Sequence, residues 1–153
     1  MKKLLLIMGY LAAGKTTLAN KLANRYKIVA LNKDEIKETI ANTYSFNNKE
    51  ESKKMSIASV DMMINVFVHF AMVEKPLILE ANFHEDEIIR INELANKYGY
   101  EVLTLLVQAD INVLHKRFLN RAINENRHPV HLSETFKEFN DFKNFIETFV
   151  KKR

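Results

Sequence analysis

Runs of apolar residues alternate with stretches of helical spacing along the chain, and the alternation predicts most of the elements. Residues 4–8 read Leu-Leu-Leu-Ile-Met, a continuous apolar run of strand length. Such runs suit a central parallel strand that is covered on both faces. From Lys15 to Tyr26, Leu18, Leu22 and Tyr26 recur at helical spacing with Ala19 and Ala23 beside them. Residues 28–31 form a second short apolar run, and residues 34–41 read as a short helix with Asn32 as N-cap. Residues 42–53 are polar and predict mostly loop or a helix start, and residues 55–74 predict a long helix. Pro76 stops that helix and opens a third strand over residues 77–79. Residues 84–98 place Ile88, Ile91, Leu94 and Ala95 on one face, and Gly99 is the stop. Residues 102–107 predict a fourth strand. Asp110 then caps a helix to about residue 124 with Val113, Leu114 and Phe118 inward. A loop around Pro129 follows, and Ser133 caps a last helix over residues 134–150. That helix carries Phe136, Phe139, Phe142, Phe145, Ile146 and Phe149 as an apolar stripe, read as core. Four alternations of strand and helix mean parallel strands joined by right-handed crossovers, hence an α/β sandwich.

Composition narrows this little. The chain has 153 residues, which is the length of one domain. Hydrophobic residues make up 47% and charged residues 27%, which excludes disorder for the chain as a whole. There is no Cys, so disulfides, thiolate zinc sites, iron–sulfur clusters and Cys nucleophiles are excluded. The net charge of +4 permits an anionic ligand without pointing to nucleic acid. The apolar run after Lys2 and Lys3 is too short for a signal segment and leads into a charged helix. Asp61, Asn65 and His69 interrupt the apolar stretch of residues 55–73, which fits a buried helix better than a bilayer span. A cytoplasmic protein without membrane attachment or an evident obligate protein partner is the expectation.

Glycine changes the picture. The chain has only 3, and two of them, Gly9 and Gly14, sit in one short loop. Residues 9–16 read Gly-Tyr-Leu-Ala-Ala-Gly-Lys-Thr and fit G-x-x-x-x-G-K-[ST] at every fixed position, between a buried strand and an amphipathic helix. A loop of this kind turns backbone N–H groups inward, and the helix dipole adds to them, so an anion is held. Gly9, Ala12, Ala13 and Gly14 form the cradle, and Thr17 extends it. Lys15 reaches the β- and γ-phosphate oxygens, and the Thr16 hydroxyl ligates Mg²⁺.

Three weaker clusters surround this motif. Asp34 follows the second strand, at the sheet edge where doubly wound folds bind ligands. It is placed to take a proton from an attacking hydroxyl, or serves only as a helix-start acid favoured by the dipole. Lys37, one turn on, is placed to hold an anionic group of an acceptor. Glu80 and Asn82 end the third strand, where an acid orders Mg²⁺ through water; His84 reads as a helix-start residue. Arg117 and Arg121 share a helix face, with Arg127 close by. Arg suits bidentate phosphate contact, although pairing with Glu125 would equally explain Arg121. His128 and His131 lack a carboxylate partner in their loop and are a poor metal pair.

The first strand, the GYLAAGKTT loop, Asp34-x-x-Lys37, the LILEANF strand end, Arg117-x-x-x-Arg121 and the RHPVH segment together resemble the small P-loop kinases of the zeta-toxin-like, AAA-domain group. The polynucleotide 5′-hydroxyl kinase domain and chloramphenicol phosphotransferase belong to that group. The resemblance covers the chain from Met1 to about Leu132. It implies a three-layer P-loop fold with about four parallel strands in the order 2-3-1-4, a helical lid over about residues 110–132 and a C-terminal helix over about 133–151. It also implies Mg²⁺-dependent transfer of the γ-phosphate of ATP, or another nucleoside triphosphate, to a hydroxyl of a small molecule or a nucleic-acid 5′ end. By the same resemblance Asp34 is the base, Lys15, Arg117 and Arg121 stabilise the transferring group, and Asp34, Lys37, Glu80 and Asn82 face the acceptor. Ala12 and Ala13 stand where many relatives carry Gly and Ser. Lys37 replaces the Arg of the nucleic-acid kinases, and no clear fifth strand follows the lid. A nucleotide hydrolase and a nucleotide-binding switch are the alternatives.

Overall fold

The computed structural model describes residues 1–132 and 136–151. Four strands, β1 (Lys3–Gly9), β2 (Val29–Asn32), β3 (Leu77–Glu80) and β4 (Glu101–Val107), form one sheet in the order β2-β3-β1-β4. Every pairing is parallel, and β1 lies between β3 and β4, with Leu4 opposite Leu77 on one side and Val102 on the other. The helices are α1 (Lys15–Tyr26), α2 (Lys33–Thr43), α3 (Lys49–Met72), α4 (Glu85–Tyr98), α5 (Ile111–Asn124) and α6 (Phe139–Lys151), with a 3₁₀ turn at Pro129–His131 between the last two. This is the expected three-layer arrangement.

The continuous apolar character of β1 follows from its place. Leu4, Leu6 and Met8 point to one face, where they meet Val60, Met63, Ile64 and Phe67 of α3 and Ile91 and Ala95 of α4. Ile7 and Leu5 point to the other face and meet Ala19, Leu18 and Leu22 of α1. Both faces are therefore dry, and alternation would have left a polar group in one of them. Phe67 is fully buried, with the Tyr100 ring edge-on at 5.3 Å. The Tyr100 hydroxyl donates to the carbonyls of Phe70 and Lys75, fastening the end of α3 to the sheet. α3 is long and apolar enough to cross a membrane by length and composition, but its inner face is this core and Asp61, Asn65 and His69 are exposed on it.

Several boundaries differ from expectation for identifiable reasons. α3 begins at Lys49, because the Asn48 side chain accepts the Glu51 N–H at 2.9 Å and caps a wholly polar first turn. The last helix begins at Phe139 among the described residues. Just before it, the Lys137 carbonyl lies 2.8 Å from His115 Nε2 of α5. The expected cap Ser133, the start at Glu134 and the Phe149 side chain lie outside the described residues. Phe142 and Ile146 of the stripe are buried against Leu114 and Phe118 of α5. Val113, expected inward, is exposed; so is Tyr26, the last residue of its helix, which lies beside Arg25. β4 is an edge strand, with Leu103, Leu105 and Leu106 each at least 40% exposed.

Phe67 has no exposed surface, and its removal leaves a cavity between α3 and the sheet. Phe67→Ala should cost about 3–5 kcal/mol of folding stability, read from urea denaturation.

Candidate active site

The loop that follows β1 is shaped by close backbone approach. Gly9 has φ +144°, and a Cβ there would lie 2.0 Å from the Val107 carbonyl oxygen of β4. That oxygen accepts the Tyr10 N–H at 3.2 Å, and the Gly9 N–H donates to Asn82 Oδ1 at 3.2 Å. Asn82 thus anchors the loop from the end of β3. Ala12 is held at φ +60° and Gly14 at φ +97°. The Ala12 and Ala13 methyls are buried against Leu114, Phe118 and Phe142, so the loop rests on α5 and α6. Gly14 is the N-cap of α1 and offers no side chain to the first-turn N–H groups. An uncapped helix N-terminus in a tight loop is a seat for an anion, and the residues present fit a phosphate chain.

Lys15 donates to the carbonyls of Gly9 at 3.2 Å and Tyr10 at 2.9 Å. Burial holds its ammonium below the ordinary lysine value, opposed by the charges of Glu80 and Asp34. The Thr16 hydroxyl donates to Glu80 Oε2 at 3.0 Å, and Asn32 Nδ2 donates to the Thr16 hydroxyl at 3.1 Å and to Glu80 as well. Glu80 is buried, and that burial raises its pKa, with Lys15 and Thr16 opposing. A hydroxyl and a carboxylate beside a phosphate seat are hard oxygen donors, the set that suits Mg²⁺. Among the described residues no group of three or more His, Asp or Glu is placed to hold a metal ion. Thr17 is exposed on α1.

Asp34 sits in the first turn of α2. Its N–H and that of Glu35 donate to the Asn32 side chain at 2.7 and 3.2 Å, which realises the expected cap. The Asp34 carboxylate is half exposed, with Lys33 Nζ and His131 Nδ1 each 3.9 Å away. It opens onto the same cleft as Lys15, Glu80, Asn82 and Arg127, a space of about 1330 Å³. The cleft continues along an apolar wall that includes Ile88, Leu106, Phe136 and Phe145. Lys37 also reaches the cleft wall, but it is only 7% exposed and donates to Ser52 Oγ at 2.9 Å. Its ammonium is thereby committed to the protein.

The arginines divide. Arg127 lines the cleft. Arg121 is half-buried with its Nε 3.5 Å from Glu125 Oε2, and it stands near enough to Lys15 to press that ammonium's pKa down. Arg117 is exposed on α5, away from the cleft wall. His84 is the N-cap of α4, as expected of a helix-start residue, and its N–H donates to Glu87 at 2.7 Å. Two groups in the site went unread in the sequence. Asn32 was visible only as a cap, although its amide also holds Thr16 and Glu80. His131 lies against Glu38 and Asp34, partners that come from α2 rather than from its own loop.

A sequence model described as AAA domain matches residues 4–143. No curated protein matches the chain. Among solved structures, a protein from Chloroflexus aurantiacus J-10-fl described as a candidate kinase is 26% identical. It superposes with a TM-score of 0.84 over 92% of this chain and 76% of its own. Shikimate kinase from Bacteroides thetaiotaomicron is 20% identical, with a TM-score of 0.60 over 99% of this chain and 79% of its own. A component of the Pnkp1/Rnl/Hen1 RNA repair complex is 14% identical, with a TM-score of 0.62 over 95% of this chain and 45% of its own. The last two likenesses show the fold.

Two predictions follow from this geometry. Gly9→Ala drives a methyl into the Val107 carbonyl and should destabilise the protein by about 3 kcal/mol. Gly14→Ala meets nothing within 4 Å and should cost only the left-handed strain, about 1 kcal/mol. Thermal denaturation ranks the two. The second prediction concerns Lys37, whose pKa is lowered from 10.5 to about 8, first by burial and then by the charge of Lys33. Between these values the unfolded chain binds more protons than the folded one, so this group's contribution to stability rises with pH across that window. Below pH 8 its buried charge is a constant cost. Lys37→Met should raise stability at pH 7 by about 1 kcal/mol and remove the rise above pH 8, measured by denaturation at pH 7 and pH 10.

Proposed function

The chain belongs to the AAA domain family, and on that premise we propose that it is a phosphotransferase carrying the γ-phosphate of ATP, or another nucleoside triphosphate, to a hydroxyl. The acceptor is a small molecule or a nucleic-acid 5′-hydroxyl end. The observation that carries this reading is that Asp34 opens onto the same cleft as Lys15. A carboxylate open to this cleft is available to take the proton of an attacking hydroxyl, whereas nucleotide binding alone would make no use of it.

In the transfer, the acceptor oxygen bonds to the γ-phosphorus as the bond from that phosphorus to the bridging oxygen breaks. The acceptor proton passes to the Asp34 carboxylate. Lys15 leaves its two loop carbonyls for phosphate oxygens, and the α1 N-terminus holds the remaining charge. Thr16 and Glu80 would hold Mg²⁺, which supplies neutralisation of the phosphate oxygens. On this reading Arg127, which lines the cleft, and Arg121, which acts on Lys15, would meet the transferring group. Arg117 reaches it only if α5 moves. Catalysis on this scheme is positioning and preorganised charge.

Incubation with Mg²⁺ and γ-labelled ATP, with and without pooled hydroxyl metabolites and a 5′-hydroxyl oligonucleotide, tests the reading. Label should move to an organic acceptor. Lys15→Ala should cost about 10²–10³-fold in rate. Asp34→Asn should keep nucleotide binding and lose about 10²–10⁴-fold in transfer. Label found only as free phosphate, at a rate indifferent to Asp34, would instead make the protein a hydrolase.

A further inference from the structure

The segment after α5 is fastened to the helix that carries Asp34. His128 Nε2 lies 2.9 Å from Asn42 Oδ1 of α2. The Val130 side chain is fully buried beside Ala41 and Met55. The Val130 carbonyl accepts the Ser52 hydroxyl at 2.8 Å, and Ser52 in turn accepts from Lys37. These contacts fix the Pro129–His131 turn and deliver one side chain to the base. The His131 side chain is 8% exposed, with Nε2 2.6 Å from Glu38 Oε1 and Nδ1 3.9 Å from Asp34 Oδ1. Asp34 and Glu38 lie one turn apart on α2, so a single imidazole spans both.

We propose that His131 is a positioning residue that serves as the second station for the acceptor's proton, taking it at Nδ1 from Asp34 while Glu38 holds Nε2–H. The inference rests on Asp34 being the base of the transfer.

The chemistry of the contacts sets the direction. An ionised Glu38 accepts only, so the short contact at Nε2 requires that nitrogen to carry the hydrogen. A neutral ring in this tautomer presents a lone pair at Nδ1 toward Asp34. When Asp34 has taken the proton from the acceptor hydroxyl, the proton moves along one O–H···N line to Nδ1. The product is an imidazolium held between two carboxylates, and Asp34 is returned to its ionised form. No other reactant is needed. The 3.9 Å separation closes by a small turn of the half-exposed Asp34 carboxylate. The charged groups acting on the ring are Asp34 and Glu38 from α2 and Arg127 from the segment before the turn. Burial keeps the ring below the ordinary imidazole value, so it is neutral at rest, as an acceptor must be.

The arrangement has a consequence for the lid. Because His131 is brought to Asp34 by the segment leaving α5, the proton path is complete only while that segment is docked on α2 and α3. Ser52, which touches neither Asp34 nor the phosphate loop in the described contacts, is one of the fastenings.

Ring ¹⁵N spectroscopy of the full chain reads the tautomer and charge of His131 without any acceptor. The expected result at pH 7.5 is a neutral ring with hydrogen on Nε2. Asp34→Asn should lower the His131 titration midpoint by about half a pH unit or more, since it removes a facing carboxylate. Glu38→Gln should lower it too and weaken the Nε2–H preference. Ser52→Ala should shift the His131 signal toward that of an exposed imidazole. A ring that carries its hydrogen on Nδ1 in the wild type overturns the proposal, because that nitrogen could then accept nothing. A midpoint unmoved by Asp34→Asn overturns it as well. The label-transfer experiment decides the kinase reading separately, since these spectra need no turnover.

Discussion

The site hangs on one close approach. At Gly9 the backbone of β1 passes so near the Val107 carbonyl of β4 that no side chain fits between them. The next residue bonds to that same carbonyl, and Gly9 itself is held from the other side by Asn82. Neighbouring strands on both sides thus fix where β1 ends and in what direction the chain leaves it. The positions of Lys15 and Thr16 at the start of α1 follow from that exit, as does the meeting of Thr16 with Glu80 from β3. A flexible connection here would leave the same residues in the sequence and no shared geometry among them.

A second constraint joins the loop to α5 and α6. Ala12 and Ala13 give the loop two methyl groups that lie against the α5–α6 cluster. Gly or Ser in these places would leave that cluster with less to pack on. The loop accepts a left-handed residue at Ala12 as the accompanying strain. α5 also leads into the turn that ends at His131, so a shift of this helix would be felt at both the phosphate loop and Asp34. α5 on the loop and the turn after it on α2 together hold the phosphate loop and Asp34 in register.

The sequence carried much of this and missed the rest for physical reasons. β1, the loop and α1 were legible because burial on both faces, glycine scarcity and helical spacing are all local signals. So were the Asn32 and Asp110 caps and the Gly99 stop. The start of α3 was hidden because its first turn is polar and held by capping, with no apolar period to see. The segment just before α6 meets His115, a residue in another helix. The burial of Lys37 depends on Ser52, and the surroundings of His131 depend on Glu38, which lies far back in the chain. Those features are tertiary, and no window along the sequence contains both partners. The resemblance to P-loop kinases supplied the strand order, which hydrophobic patterning alone does not fix.

The register of β1 also bears on how the chain comes to be folded. Its partners are β3, which begins at Leu77, and β4, whose first residue Glu101 lies opposite Lys3. A strand made first therefore waits for strands made much later. At roughly 5–20 residues per second of synthesis, the gap before β4 emerges is on the order of 5–20 s. Until β3 is made, Leu-Leu-Leu-Ile-Met has neither of its neighbouring strands, and α1, which follows it directly, is the first element able to cover one of its faces. A run that is largely buried in the finished protein and made long before its partner strands needs shelter on the ribosome, so holdase chaperones should recognise this chain by its first strand.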